Sequence, residues 1–128
     1  MSADYLQDFR TAIAIDNKLL AYSAAEGNLD LHELADLSCN MTVVYRLAML
    51  ETERLIDSPS HSSTDVCDLE GMWQALYDFY GDAAQLWAPV PANGDTLSRY
   101  RLQLERLRAT ARDRVELYHL EENPPPRY

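Results

Sequence analysis

The 128-residue chain is poor in residues that break, staple or specialise a fold: it has four glycines, two cysteines and a single lysine, Lys18, among its 11 basic residues. So little glycine excludes collagen-like and flexible low-complexity classes. No glycine-rich phosphate loop is present, because Gly71 and Gly81 stand singly inside apolar-periodic sequence. Cys39 and Cys67 form no CxxC pair, which excludes a disulfide-stapled scaffold and fits a reducing compartment. The first residues carry no basic segment followed by an apolar run. No stretch approaches about 18 uninterrupted apolar residues, so neither a signal peptide nor a membrane span is expected and the predicted location is the cytoplasm. Positive charge is also short. With 11 basic against 21 acidic residues the net charge is −10, which disfavours general binding to nucleic acid or anionic membranes. Ten of the 11 basic residues are arginine, a bias expected of a GC-rich bacterial genome.

What the chain does have is apolar sequence, 47% of its residues, broken at regular intervals. Chains of this size bury roughly two-thirds of their surface, enough for a core without staples. Three breaks divide the sequence: Gly27-Asn28, Ser58–Ser63 and Pro89–Gly94. Between them the apolar residues recur every three or four positions, the period of a helix. The clearest stripe is Val66, Leu69, Trp73, Leu76, Tyr80, Ala83 and Trp87. The fourth segment repeats the pattern with Leu97, Tyr100, Leu104, Leu107, Ala111 and Tyr118, and the first carries Leu6, Phe9, Ile13 and Leu20. In the second, Leu34, Leu37, Met41, Val44, Ala48 and Leu55 make the stripe, but residues 41–50 are apolar nearly all round, as in a very buried helix or one that lends a face to an oligomer.

Capping residues agree with these boundaries: Asp30-Leu31-His32-Glu33 has the spacing of a capping box, and Ser63-Thr64-Asp65 and Asp95-Thr96 supply further caps. The reading is an all-α, antiparallel up-down-up-down four-helix bundle over residues 1–122, with helices at about 3–26, 31–57, 65–88 and 96–122. Residues 123–128 form a short Pro-rich tail that cannot continue a helix and is expected to be extended. Its end, Pro125-Pro126-Arg127-Tyr128, resembles the PPxY ligands of WW domains. In such a bundle Cys39 and Cys67 stand about 20 Å apart along the helices, beyond disulfide reach, so two thiols are expected.

Candidate chemistry is sparse. Glu116-Leu117-Tyr118-His119 has the Glu-x-x-His spacing of di-iron carboxylate bundles, which makes Glu116 and His119 the metal-ligand candidates; no second such motif exists, and no metal, cofactor or catalytic residue is expected. Asp16 interrupts the apolar stripe of the first helix and is read as a buried carboxylate that needs an arginine or tyrosine partner. Tyr77 and Phe79 fall off the stripe of the third helix, and Leu47 and Leu50, with Ile15 and Leu19, are surplus to a minimal core. Tyr77, Phe79, Leu47 and Leu50 are therefore the interaction candidates. Charge is unevenly spread: residues 1–94 balance at −11, whereas residues 95–119, with six arginines, balance at +2. That division suits pairing across the bundle.

Ala25-Glu26-Gly27-Asn28-Leu29-Asp30, followed by Leu31, Leu34 and Leu37, resembles the first interhelical turn of the small helical export chaperones of flagellar and type III secretion. The likeness is confined to that stretch and implies no functional residue. The functional reading is a non-enzymatic helical protein-interaction module: an adaptor, secretion-chaperone-like, immunity or regulatory subunit, acting through helix faces on a protein partner or a second copy of itself. A metal-binding or redox bundle enzyme and an acidic nucleic-acid mimic or inhibitor are the alternatives.

Overall fold

The computed structural model describes residues 2–57, 63–91 and 94–122, and of these the side chains of 5–57, 66–91 and 94–120. The chain is all-α, with four helices, α1 (Ser2–Ala25), α2 (Leu31–Ile56), α3 (Ser63–Trp87) and α4 (Asp95–Glu122), and no strand among the described residues. Each boundary lies within two residues of its sequence-predicted place. The Pro-rich tail, the loop at 58–62 and the side chains of the Ser63-Thr64-Asp65 cap lie outside the described residues.

The turn between α1 and α2 shows why the boundaries were legible. Gly27 adopts φ +90°, a left-handed conformation that a Cβ would strain. Its N–H donates to Ala24 O (3.0 Å) while Asn28 N–H donates to Ser23 O (2.9 Å), the paired bonds of a Schellman stop. Asp30 then starts α2: its carboxylate accepts from the backbone N–H of His32 (2.9 Å) and Glu33 (3.3 Å), satisfying donors that a helix start leaves open.

All seven residues of the α3 stripe are buried, and Leu69, Trp73, Leu76, Tyr80 and Trp87 are fully so. α3 and α4 form the closest pair of helices. Both also pack on α2, and α3 packs on α1, but among the described residues no Cα of α1 comes within 8 Å of one in α4, so these two flank the α2–α3 contact from opposite sides. Trp73, Tyr80, Trp87 and Tyr100, large aromatics of the core, carry polar tips, and each finds a partner on another helix. Trp73 Nε1 donates to Thr52 Oγ1 (3.0 Å), and Tyr80 OH donates to the backbone carbonyl of Met41 (3.0 Å). A buried indole or phenol left without a partner would cost about 1–3 kcal/mol, so these pairs select one packing among several of equal apolar area.

α3 and α4 approach closely where Gly81 is buried beneath Arg108. A Cβ at Gly81 would stand 3.1 Å from Arg108 Nε, and the guanidinium lies 4.6 Å from the Tyr77 ring centre, with Nη2 donating to Tyr77 OH (3.1 Å). Gly71 is also inside α3, but it is exposed and has nothing within 4 Å of the position a Cβ would take. Removing the backbone freedom of a mid-helix glycine is worth about 0.5–1 kcal/mol. Gly71→Ala is therefore expected to raise unfolding stability by about that amount. Gly81→Ala should yield less, because the Arg108 guanidinium must give way by a few tenths of an ångström where it lies over Tyr77. Chemical denaturation of both variants beside the parent checks the order.

Candidate functional site

The structure corrects the assignment of Asp16. Its carboxylate is exposed, and the buried polar residue of α1 is its neighbour Asn17, only 1% exposed. The core face of α1 runs through Leu6, Ile13, Asn17, Leu20 and Ala24, so the position four after Ile13 and three before Leu20 faces inward. Asn17 Oδ1 accepts two hydrogen bonds, from Trp87 Nε1 (2.7 Å) and Tyr100 OH (2.8 Å). One amide oxygen thus joins α1 to the end of α3 and the start of α4. Trp87 and Tyr100 also meet edge to face, with ring centres 5.5 Å apart, and Arg101 Nη2 donates to the Trp87 carbonyl, placing a cation on the C-terminal end of α3.

Glu116 and His119 do not converge. Glu116 is exposed and pairs with Arg112 (3.4 Å), whereas His119 Nδ1 lies 3.3 Å from Glu70 Oε1 of α3. Among the described residues no group of three or more His, Cys, Asp or Glu side chains is placed to hold a metal ion. Cys39 and Cys67 are exposed, and no disulfide joins them.

The interaction candidates divide. Tyr77 is half-buried under Arg108, and Phe79 is half-buried beside Tyr80, lining a groove between α1 and α3 with Arg10, Asp78 and Asp82. Leu47 packs on the core, while Leu50 is 61% exposed. The expected cross-bundle pairing of the α4 arginines takes mixed form: Arg108 on Tyr77 and Arg101 on the Trp87 carbonyl cross to α3, and Arg112 pairs along its own helix.

A more continuous apolar surface lies on α1, on the side away from its core residues. Ile15 (56% exposed), Leu19 (62%) and Tyr22 (56%), spaced four and three residues apart, share one stripe, with Tyr5 exposed nearer the N-terminus. Leu19 also borders a groove of about 440 Å³ between α1 and α2, whose walls are Asp16, Leu20 and Ser23 on one side and Glu33, Asp36, Leu37 and Asn40 on the other. Asp16, Glu33 and Asp36 take part in none of the ion pairs between described residues. The groove therefore sets three leucines beside three uncompensated carboxylates, with no basic side chain in its lining. The sequence held a signal for this surface in the surplus hydrophobes Ile15 and Leu19, but not for its acidic wall, which comes from two helices.

Comparison of the chain with protein-family models, with curated proteins and with solved structures finds no match. No described helix is long and apolar enough to cross a membrane.

Two measurements test the core that holds these faces in place. Asn17→Ala strands both the Trp87 and Tyr100 donors in apolar surroundings, and at about 1–3 kcal/mol each the expected loss of stability is about 2–6 kcal/mol. Tyr100→Phe, which leaves Asn17 paired with Trp87, should cost only about 1 kcal/mol by denaturant titration. Burial pushes the Tyr80 and Tyr100 hydroxyls well above the ordinary 10.0; for Tyr80, repulsion from Tyr45 adds to the rise and Arg10 partly offsets it. The folded chain keeps these protons where the unfolded chain releases them, so the stabilisation is complete below pH 10 and is lost as pH rises above that value. In an alkaline titration, the last part of the tyrosinate absorbance should appear together with loss of helical circular dichroism. Full ionisation of all eight tyrosines with the helices intact would contradict it.

Proposed function

We propose that this chain is a non-enzymatic protein-interaction module that binds through an outward helix face, as an adaptor, chaperone-like or regulatory subunit does, in a reducing cytoplasm. The observation that carries this reading is the exposed stripe of Ile15, Leu19 and Tyr22 beside the α1–α2 groove. Single exposed hydrophobes are ordinary on a soluble domain, but three on successive turns of one helix are the anchor spacing of helix-mediated recognition.

The framework proposed for this surface is the antiparallel up-down-up-down bundle. Support comes from the order of partners along the helices. Between α2 and α3, Thr52 meets Trp73 and Met41 meets Tyr80, so one number falls as the other rises. Between α3 and α4 the same inverse order runs through Glu70 with His119, Tyr77 with Arg108, and Trp87 with Arg101. In such a bundle α1 has neighbours on its inner side alone, which leaves a full stripe for a partner.

The test is a double variant, Ile15→Arg/Leu19→Arg. Both side chains are exposed, so stability should change by less than about 0.5 kcal/mol. The expected result is that proteins captured by the parent chain from extracts of its source cells are lost with the variant. Equal capture by parent and variant, or no capture by either, overturns the reading.

A further inference from the structure

We propose that the α1–α2 groove receives a cationic amphipathic helix of another protein; this rests on the interaction-module reading above and names the partner's chemistry. Four observations lead there. Leu19, Leu20 and Leu37 line the groove, and the exposed Leu19 also belongs to the stripe of Ile15, Leu19 and Tyr22 on the outer side of α1. The groove walls carry Asp16, Glu33 and Asp36 and no cation. The spacing of Ile15, Leu19 and Tyr22 matches the i, i+3 or i+4, i+7 pattern by which one helix lies along another. Two parallel walls, one per helix, suit a rod-shaped occupant whose apolar edge meets the leucines while lysines or arginines on both flanks meet the carboxylates.

Charge decides among the possible occupants. Lipid headgroups and nucleic acid are anionic and would meet the three carboxylates with repulsion. A second copy paired symmetrically through this face would set the same carboxylates against one another. The chain has a cationic helix of its own, α4, with exposed Arg99, Leu102 and Arg106. However, α1 and α4 flank the α2–α3 contact from opposite sides, so the outward face of α4 points away from the groove. Its use on a second copy would be a head-to-tail contact, which grows into a ring or a filament and would show as concentration-dependent assembly of the chain alone. A basic amphipathic helix from a different protein satisfies both the exposed Leu19 and the acidic walls. Charge of this kind sets orientation and encounter rate as well as affinity.

The experiment uses the full chain and a synthetic helical peptide of leucine and lysine with its leucines on one face, beside a counterpart in which every lysine is glutamate, both at physiological salt. Binding is followed by peptide fluorescence anisotropy, and the site is mapped by amide chemical-shift changes. Two charge-matched variants are compared: Asp16→Lys/Glu33→Lys/Asp36→Lys in the groove and Asp68→Lys/Asp78→Lys/Asp82→Lys at exposed positions of α3. Circular dichroism and unfolding midpoints establish that both are folded, and Asp16→Asn/Asp36→Asn serves as the milder groove variant. The proposal expects the lysine peptide to shift residues of α1 and α2, to weaken at least about tenfold with the groove triple, and to change by less than about threefold with the α3 triple. The glutamate peptide should not bind. Equal weakening by both triples identifies diffuse attraction to an acidic molecule and overturns the proposal, as does absence of binding by the lysine peptide. If the peptide fails while Ile15→Arg/Leu19→Arg still abolishes protein capture, the interaction reading stands and the cationic-helix partner falls; if both fail, both fall.

Discussion

One amide oxygen holds together parts of the chain that are far apart in sequence. Asn17 Oδ1 is buried, and the two donors that reach it come from the last turn of α3 and the first turns of α4. An apolar residue at position 17 would fill space equally well but would leave an indole N–H and a phenol O–H without acceptors. Apolar packing alone is tolerant of sliding by a turn, since leucine, methionine and alanine fit many neighbours. A two-donor acceptor is not tolerant, because only one register brings both donors within hydrogen-bond distance. Trp73 on Thr52 and Tyr80 on the Met41 carbonyl impose the same demand between α2 and α3. Specificity in this bundle therefore rests on a few satisfied polar tips set in an apolar core.

With register set in this way, the outer faces acquire fixed relationships. Leu19 can belong both to a stripe on α1 and to the wall of a groove because Leu37 and Asp36 of α2 stand opposite it. Asp16, displaced from the core by one residue, becomes part of that wall rather than a buried ion. The arginines of α4 have a different fate: Arg108 lies over Tyr77 where a glycine makes room, and Arg101 meets the carbonyl end of α3. Much of the cationic charge is thus drawn onto the α3–α4 pair, while the α1–α2 groove keeps its negative charge uncompensated.

The stripe of α3 was readable in full because a seven-residue pattern over consecutive turns has one phase. The stripe of α1 was not, for a physical reason. Both Asp16 and Asn17 sit near the line between Ile13 and Leu20, at spacings of three and four, and a helix of 3.6 residues per turn permits either. Ala21 and Ala24, four and seven residues on from Asn17, resolve the phase, and alanine is too weakly apolar to mark a core face in sequence. Phe9 misled in the same direction, since its size drew the predicted stripe toward it while the structure leaves it half-buried. Glu116 and His119 illustrate a further limit. Their spacing places them within reach of a shared ion, but each has a nearer opposite: Arg112 on the same helix and Glu70 on the next.

What the amino-acid order determined by itself is everything that acts over a few residues: four helices, their stops at Gly27 and before Pro89, their caps at Asp30, and the face of α3 that is buried. These depend on backbone sterics, local hydrogen bonds and a period that is written along the chain. What the tertiary structure alone decided is which groups from different helices meet. The choice of Asn17 over Asp16 for the core, the seat of Arg108 on Gly81 and Tyr77, and the meeting of Asp16 with Glu33 and Asp36 around one groove all depend on groups on different helices, between 17 and 83 residues apart. Contacts at such separations leave no periodic trace in sequence, because they are fixed by satisfaction of donors and charges across helices rather than along them.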